Sequence, residues 1–125
     1  MNQPSDTLIF IVDDEPMLLE LAETLLSPCG YTTRTFPDPS VALQAYADAN
    51  PRPALIITDY AMHPMTGLDL IRQCREINPR QRILMVSGTV DEDIFRNSKV
   101  KPDSFLAKPY QGKQFLHIVE SLLAG

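Results

Sequence analysis

Apolar positions along this chain follow two alternating patterns. Leu8-Ile9-Phe10-Ile11-Val12 is apolar without a break, as are Ala54-Leu55-Ile56-Ile57 ahead of Thr58-Asp59 and Ile83-Leu84-Met85-Val86 between Arg82 and Ser87. A short unbroken run bounded by turn signals predicts a strand buried on both faces, as in a parallel sheet. Tyr31 to Phe36 instead alternates with threonines and Arg34, which predicts a more exposed edge strand. Ser104-Phe105-Leu106-Ala107 predicts a short fifth strand.

Between these runs the period lengthens. Behind Pro16, residues Met17, Leu18, Leu21, Ala22, Leu25 and Leu26 recur at helical spacing until Ser27-Pro28-Cys29-Gly30 stops the helix. Asp38-Pro39 is a cap followed by a first-turn proline, opening a second helix with Val41, Ala42, Ala45, Tyr46 and Ala49 on one face. A third helix is predicted from about Thr66 to Asn78, with Leu68, Ile71, Cys74 and Ile77 inward and Pro79 ending it. From Thr89 to Pro102 the acidic run Asp91-Glu92-Asp93 predicts a helix start, after which only Ile94, Phe95 and Val100 offer apolar contacts. The last helix, about Gln111 to Leu123, carries Phe115, Ile118, Val119, Leu122 and Leu123 at amphipathic spacing. Strand then helix, five times over, predicts an α/β fold: a doubly wound parallel sheet with helices on both faces. Residues 1–6 read as a loose terminus.

Length and charge narrow this further. At 125 residues the chain is expected to form one domain that buries roughly two-thirds of its unfolded surface. A formal charge of −5 argues against generic binding to nucleic acid or an anionic membrane, which wants a basic face. Cys29 and Cys74 have neither disulfide-framework nor zinc spacing, so a reduced, cytoplasmic setting is expected. The first apolar run is five residues long and ends in Asp13-Asp14-Glu15, too short for a membrane span or a signal peptide.

The candidate chemistry lies where the strands end. Asp13 and Asp14, Asp59, Ser87 and Lys108 each follow or close an apolar strand. A parallel sheet brings all carboxyl ends to one edge, the edge where ligands bind in open α/β sheets. Three carboxylates there repel one another unless a cation intervenes, and Mg2+ suits a site of few protein oxygens and several waters. A cation, an ammonium and a hydroxyl around a carboxylate match a transferring phosphoryl group, whose charge spreads over three oxygens. Aspartate can itself attack, forming an acyl phosphate. Taken singly the residues are ordinary: Asp13-Asp14 as helix caps, Ser87 as a strand-end hydroxyl, Lys108 as a solvated charge. His63 reads as an exposed loop side chain, His117 as solvated, and Met62, Met65 and Met85 as packing.

With these residues in order, the chain resembles a response-regulator receiver domain, the phosphoacceptor module of two-component signalling, over about residues 7–123. The resemblance implies a flavodoxin-like, five-stranded sheet of order 2-1-3-4-5 flanked by five helices, with residues 1–125 as a single receiver domain. It implies that Asp59 takes a phosphoryl group from a partner kinase's phosphohistidine. Asp14 and Asp59 would ligate Mg2+ directly, Asp13 through water, and the Ala61 carbonyl would complete the protein ligands. Ser87 and Lys108 would hold phosphoryl oxygens, Ser87 and Phe105 would form the switch pair, and Lys108-Pro109 would be cis. The implied partners are a sensor histidine kinase or phosphotransfer protein and a downstream effector reached through residues 88–107. No direct contact with nucleic acid or membrane, and no enzymatic turnover, is expected.

Three features depart from the family pattern. Proline usually lies four residues after the acceptor; His63 occupies that place and Pro64 follows. Phe105 lacks the hydroxyl of the commoner tyrosine, and the fourth-helix region is short and polar, as in some receivers attached to hybrid sensor kinases. An aspartyl-phosphate phosphatase of the haloacid dehalogenase class would need a second acid two residues after Asp59, where Ala61 stands, and a cap insertion that 125 residues do not accommodate. A receiver that only binds partners would not need the complete acid and lysine set. No output domain follows residue 123, so an effector is expected on a separate chain or another part of a larger protein.

Overall fold

The computed structural model describes residues 7–89 and 92–124. Strands β1 (Leu8–Val12), β2 (Thr32–Phe36), β3 (Leu55–Asp59), β4 (Arg82–Ser87) and β5 (Ser104–Ala107) form one sheet, parallel throughout, in the order β2-β1-β3-β4-β5. Helices α1 (Pro16–Leu26), α2 (Pro39–Asp48), α3 (Gly67–Ile77) and α4 (Gly112–Ala124) cover its two faces. The unbroken apolar runs are explained by that double cover. Phe10, Val12, Ile56, Ile83 and Met85 pack with α2 and α3 residues such as Tyr46, Leu70 and Ile71. Their strand neighbours Ile9, Ile11, Leu55, Ile57, Leu84 and Val86 pack with Leu19 and Leu26 of α1 and Phe115 and Val119 of α4. Successive side chains point to opposite faces, so a strand covered on both sides has no polar position to spare. β2 is the edge strand its threonines predict, with only Phe36 fully buried.

Among the described residues four α-helices stand where five were expected. Between β4 and β5 the described residues hold only a single 3-10 turn, Glu92–Phe95, and no α-helix. The cause is the scarcity of apolar side chains already visible there: Phe95 is buried, but Ile94 is 38% exposed. Ser98 also bonds its own surroundings, its hydroxyl donating to Val100 O (2.8 Å) and accepting from Val100 N (3.1 Å), which competes with a helical ladder. Asp91 of the expected helix start, and the expected loose terminus 1–6, lie outside the described residues.

The helix boundaries follow their local chemistry. Asp38 Oδ1 accepts from Ser40 N (2.8 Å) ahead of Pro39. Thr66 and Asp69 form a reciprocal capping box on α3, with Asp69 N donating to Thr66 Oγ1 (3.2 Å) and Thr66 N to Asp69 Oδ2 (3.1 Å). After α1 a 3-10 turn, Ser27–Cys29, ends at Gly30 with φ 90°, where a side chain would be strained. Inward faces are narrower than the periodicity implied. Val41 is 55% exposed, because Pro39, Ala42 and Tyr46 set the buried stripe of α2 and its neighbour is turned about 100° away. Met17 (81%) and Leu21 (43%) face out from α1, and Ile77 is exposed on the last residue of α3, where the chain turns away.

In place of a helix before β5 there is a polar clamp. Arg75 of α3 donates to Gln81 O (3.3 Å), to Lys101 O and to Asp103 Oδ2 (2.9 Å). The same Asp103 oxygen accepts from Ile83 N (2.7 Å), and Asp103 N donates to Ile83 O (2.8 Å). Nearby, the buried Tyr46 hydroxyl donates to Gln81 Oε1 (2.7 Å), and Gln81 Nε2 donates to Arg82 O (3.1 Å). Cys74 lies among these core residues, its thiol pushed up to about 12 by burial, and so serves as packing.

Gly67 meets the site-bearing strand at close range. Its N–H donates to Tyr60 O (2.8 Å), and a Cβ there would lie 2.0 Å from the Asp59 carbonyl oxygen. Gly67→Ala is therefore expected to lower stability by about 3 kcal/mol, since backbone must move to admit the methyl. Gly112→Ala meets only the end of the Leu25 side chain, at 3.1 Å, and is expected to stay within about 1 kcal/mol of the parent. Urea midpoints measure both; an unchanged midpoint for Gly67→Ala would contradict the close approach.

Candidate functional site

Register decides which side chains meet. Val12 pairs with Phe36 on one side and Thr58 on the other, Asp59 pairs with Val86, and Ser87 with Ala107. Asp13, Asp59, Ser87 and Lys108 therefore emerge within a residue of one another at the carboxyl edge of four adjacent strands. Two backbone bonds extend the ladder past the strand ends: Asp13 N to Phe36 O (3.1 Å) and Lys108 N to Ser87 O (3.0 Å). The site residues thus leave the sheet from backbone that is already tied down. Asp13 also turns the chain toward α1, its Oδ1 accepting from Glu15 N (3.0 Å). Lys108-Pro109 is cis, as are Asn50-Pro51 and His63-Pro64.

Carboxylate oxygens of Asp13, Asp14 and Asp59 lie within 4.8 Å of one another. Asp13 and Asp59 are buried and Asp14 is exposed. Lys108 lies between the two buried acids, its Nζ 2.8 Å from Asp13 Oδ2 and 3.6 Å from Asp59 Oδ1. Asp59 Oδ1 also accepts from Tyr60 N (2.8 Å), so both contacts fall on the same oxygen. Burial holds the Asp59 carboxyl above its ordinary range; Lys108 pulls it down, Asp13 and Asp14 push it up, and the Tyr60 N–H pulls it down again. Three hard oxygen donors so placed form a donor set suited to a small divalent cation.

Ser87 is buried but engaged elsewhere. Its Oγ accepts from Thr89 N (3.2 Å) and lies 3.2 Å from the Thr89 hydroxyl. Phe105 is half-buried on the same face of the sheet, two positions before the Ser87 partner Ala107. It rests against the buried Phe95, with ring centroids 5.8 Å apart. Ala61 and His63 are exposed in the loop after Asp59, while Met62 is buried in the core, where it packs. His117 is exposed on α4.

Two neighbours of the site were not singled out from the sequence. Thr89 carries no signal beyond its position two residues after Ser87. Tyr110 is half-buried beside Lys108-Pro109, stacks on Phe115 (4.9 Å between centroids) and has its phenol raised by burial and by Asp13. A tyrosine after Lys-Pro could have been noted; its stacking could not. A cavity of about 340 Å³ opens here, lined by Glu15, Leu18, Leu21, Lys108, Pro109 and Tyr110.

Comparison with known proteins agrees with this geometry. The family model described as the response regulator receiver domain matches residues 9–120. The DNA-binding response regulator MtrA of Mycolicibacterium smegmatis is 28% identical over 115 residues, covering 92% of this chain and 50% of that protein. The response regulator protein TodT of Pseudomonas putida is 30% identical over 120 residues, covering 94% of this chain and 51% of the relative. The chain spans about half the length of the curated relatives it matches. Among solved structures, the chemotaxis response regulator CheY4 of Vibrio cholerae superposes with a TM-score of 0.84 at 25% identity, covering 94% of this chain and 98% of that one. Among the described residues no helix is long and apolar enough to cross a membrane. With the family model running from β1 into α4, the chain belongs to the response regulator receiver domain family.

Proposed function

We propose that this receiver accepts a phosphoryl group on Asp59 from the phosphohistidine of a sensor histidine kinase or phosphotransfer protein. The observation that carries this reading is a buried carboxylate at a strand end, with two further acids within 4.8 Å and an ammonium 3.6 Å away. A carboxylate oxygen of Asp59 forms the new P–O bond while the P–N bond of the donor breaks. The departing imidazole nitrogen keeps the electron pair. Lys108, as a point charge, shares itself between Asp13 and the incoming phosphoryl oxygens. Ser87 donates its hydroxyl to another of those oxygens, and Phe105 follows it inward as the second half of the switch. The three acids fit Mg2+; as in the family pattern, Asp14 and Asp59 would hold it directly, Asp13 through water, and the Ala61 carbonyl would complete the protein oxygens. Bound there, Mg2+ offsets the negative charge gathered at the transferring group.

The apolar cavity between α1 and Pro109-Tyr110 borders Lys108, which suits docking of the protein that delivers the phosphoryl group. Output passes through residues 88–107 to an effector protein. On this reading the chain is a cytoplasmic signalling module and not an enzyme, and its net charge of −5 does not favour direct binding of nucleic acid.

Acetyl phosphate with Mg2+ is expected to add one phosphate mass to the parent and none to Asp59→Asn. Intact-mass measurement checks this, and stoichiometric label on Asp59→Asn would sink the assignment. The metal reading has its own test. At about 100 times its dissociation constant, Mg2+ should stabilise the parent by roughly 2.7 kcal/mol and Asp14→Ala by much less, seen in thermal melts. Equal gains in both would place the ion elsewhere.

The Asp59 carboxyl also sets a pH dependence in buffer free of divalent cations. Its folded pKa lies above the ordinary 3.8, so the native state holds that proton more tightly than the unfolded chain. The associated stability is present below the unfolded value and is lost as pH rises through the raised folded value. Asp59→Asn is therefore expected to be more stable than the parent at pH 7, with the gap closing below about pH 3.8. Urea titrations at the two pH values decide it; a deficit at pH 7 would contradict the sign.

A further inference from the structure

We propose that Thr89 is a positioning residue whose hydroxyl latches Ser87 in its unphosphorylated orientation, so that phosphorylation must break this bond to recruit Ser87. The inference rests on the reading that Ser87 serves the phosphoryl group on Asp59.

Ser87 has one hydroxyl and two claims on it. In the structure that hydroxyl is buried, with the Thr89 hydroxyl and the Thr89 N–H each 3.2 Å away. The backbone beneath cannot follow a moving side chain, because Ser87 lies in the β4–β5 ladder and its carbonyl accepts from Lys108 N (3.0 Å). Reorientation is therefore confined to the side chain and to the residues after it. Gly88 and Thr89 are exposed and lie beyond the strand, so the Thr89 end of the pair is the one free to give. Exposure also keeps the latch weak: once parted from Ser87, the Thr89 hydroxyl can be satisfied by water. A bond of that kind shifts an equilibrium without blocking it.

The latch also bears on Phe105. Ser87 and Phe105 share the α3 face of the sheet on adjacent strands, with Phe105 two positions back along β5 from the partner of Ser87. While Thr89 holds Ser87, that face keeps its present packing and Phe105 stays against Phe95.

The test compares the labelling rate with acetyl phosphate and Mg2+ in the parent, Thr89→Val, Thr89→Ser and the same Thr89→Val change on a Ser87→Ala background. Valine keeps the shape and removes the hydroxyl, whereas serine keeps the hydroxyl. Thr89→Val is expected to label on the order of fivefold faster than the parent, the equivalent of about one net neutral hydrogen bond. Thr89→Ser should stay near the parental rate, and on the Ser87→Ala background the valine change should have no effect. A second readout separates the latch from simple loosening: in the unphosphorylated Thr89→Val protein, the amide signals of Ser87 and Phe105 should move toward their phosphorylated positions. An unchanged rate in Thr89→Val, an equal rise in Thr89→Ser, or a valine effect that survives Ser87→Ala would each overturn the latch. Loss of label from every variant, the parent included, would overturn the phosphoacceptor reading and the latch with it.

Discussion

Like charges held within 4.8 Å cannot relax by drifting apart when their backbones are strands of one sheet. Asp13 follows β1 and Asp59 closes β3, two strands locked side by side in parallel register with both faces covered. Lys108, arriving from β5, is the internal answer to that repulsion, at 2.8 Å from one acid and 3.6 Å from the other. The answer is incomplete, since one ammonium faces three carboxylates and Asp59 stays raised by burial. That residual frustration is what a divalent ion or a change at Asp59 can relieve, and it places the reactive acid in an environment poised to respond. The rest of the fold serves to keep these groups from separating.

That service explains the close tolerances around Asp59. Gly67 lets α3 begin against the Asp59 carbonyl, and the Tyr60 N–H fixes one carboxylate oxygen from the chain's own next residue. The loop from Tyr60 to Thr66 is then pinned at both ends, by Gly67 N on Tyr60 O and by the Thr66–Asp69 capping box. Met62 is buried between exposed Ala61 and His63, which anchors the middle of the loop into the core. A flexible loop here would let Ala61 and Asp59 move independently, which would weaken the metal site proposed for them.

The strands and the charged edge were legible because each depends on a local pattern. Unbroken apolar runs of about five residues between turn signals point to strands covered on both faces, and a parallel sheet then collects their ends on one edge. What escaped depends on partners far apart in the chain. Gln81 reads as a loop residue until Tyr46, thirty-five positions earlier, is seen to donate to it. Arg75 reads as a solvated helix charge until Asp103 and Lys101 arrive across from it. The missing helix was half legible: the scarcity of apolar residues after Thr89 was visible, whereas the Ser98 turn and the Arg75 clamp that replace helical packing were not. Val41 failed for a simpler reason, since periodicity gives a stripe and only packing gives its width.

Among the described residues between β4 and β5 there is no α-helix, and the stretch is tied at its two ends. At one end Ser87 is fixed in the ladder; at the other, Asp103 carries Ile83 N, Ile83 O and Arg75 at once. Between them Phe95 is buried, but Ile94 is exposed and Val100 only half-buried. Burial is worth about 25 cal/mol per Å², so the described residues of this segment, with few apolar contacts, would resist a rearrangement weakly, while the clamped ends would stop it from spreading into the sheet. A helix in this place would have to roll or shift as a body. A loop hung between two fixed points can instead change shape around Phe95 and Phe105 alone. A change at Ser87 would on this geometry stay local, felt first by Phe105 two positions back along the adjacent strand and by the Phe95 ring against it.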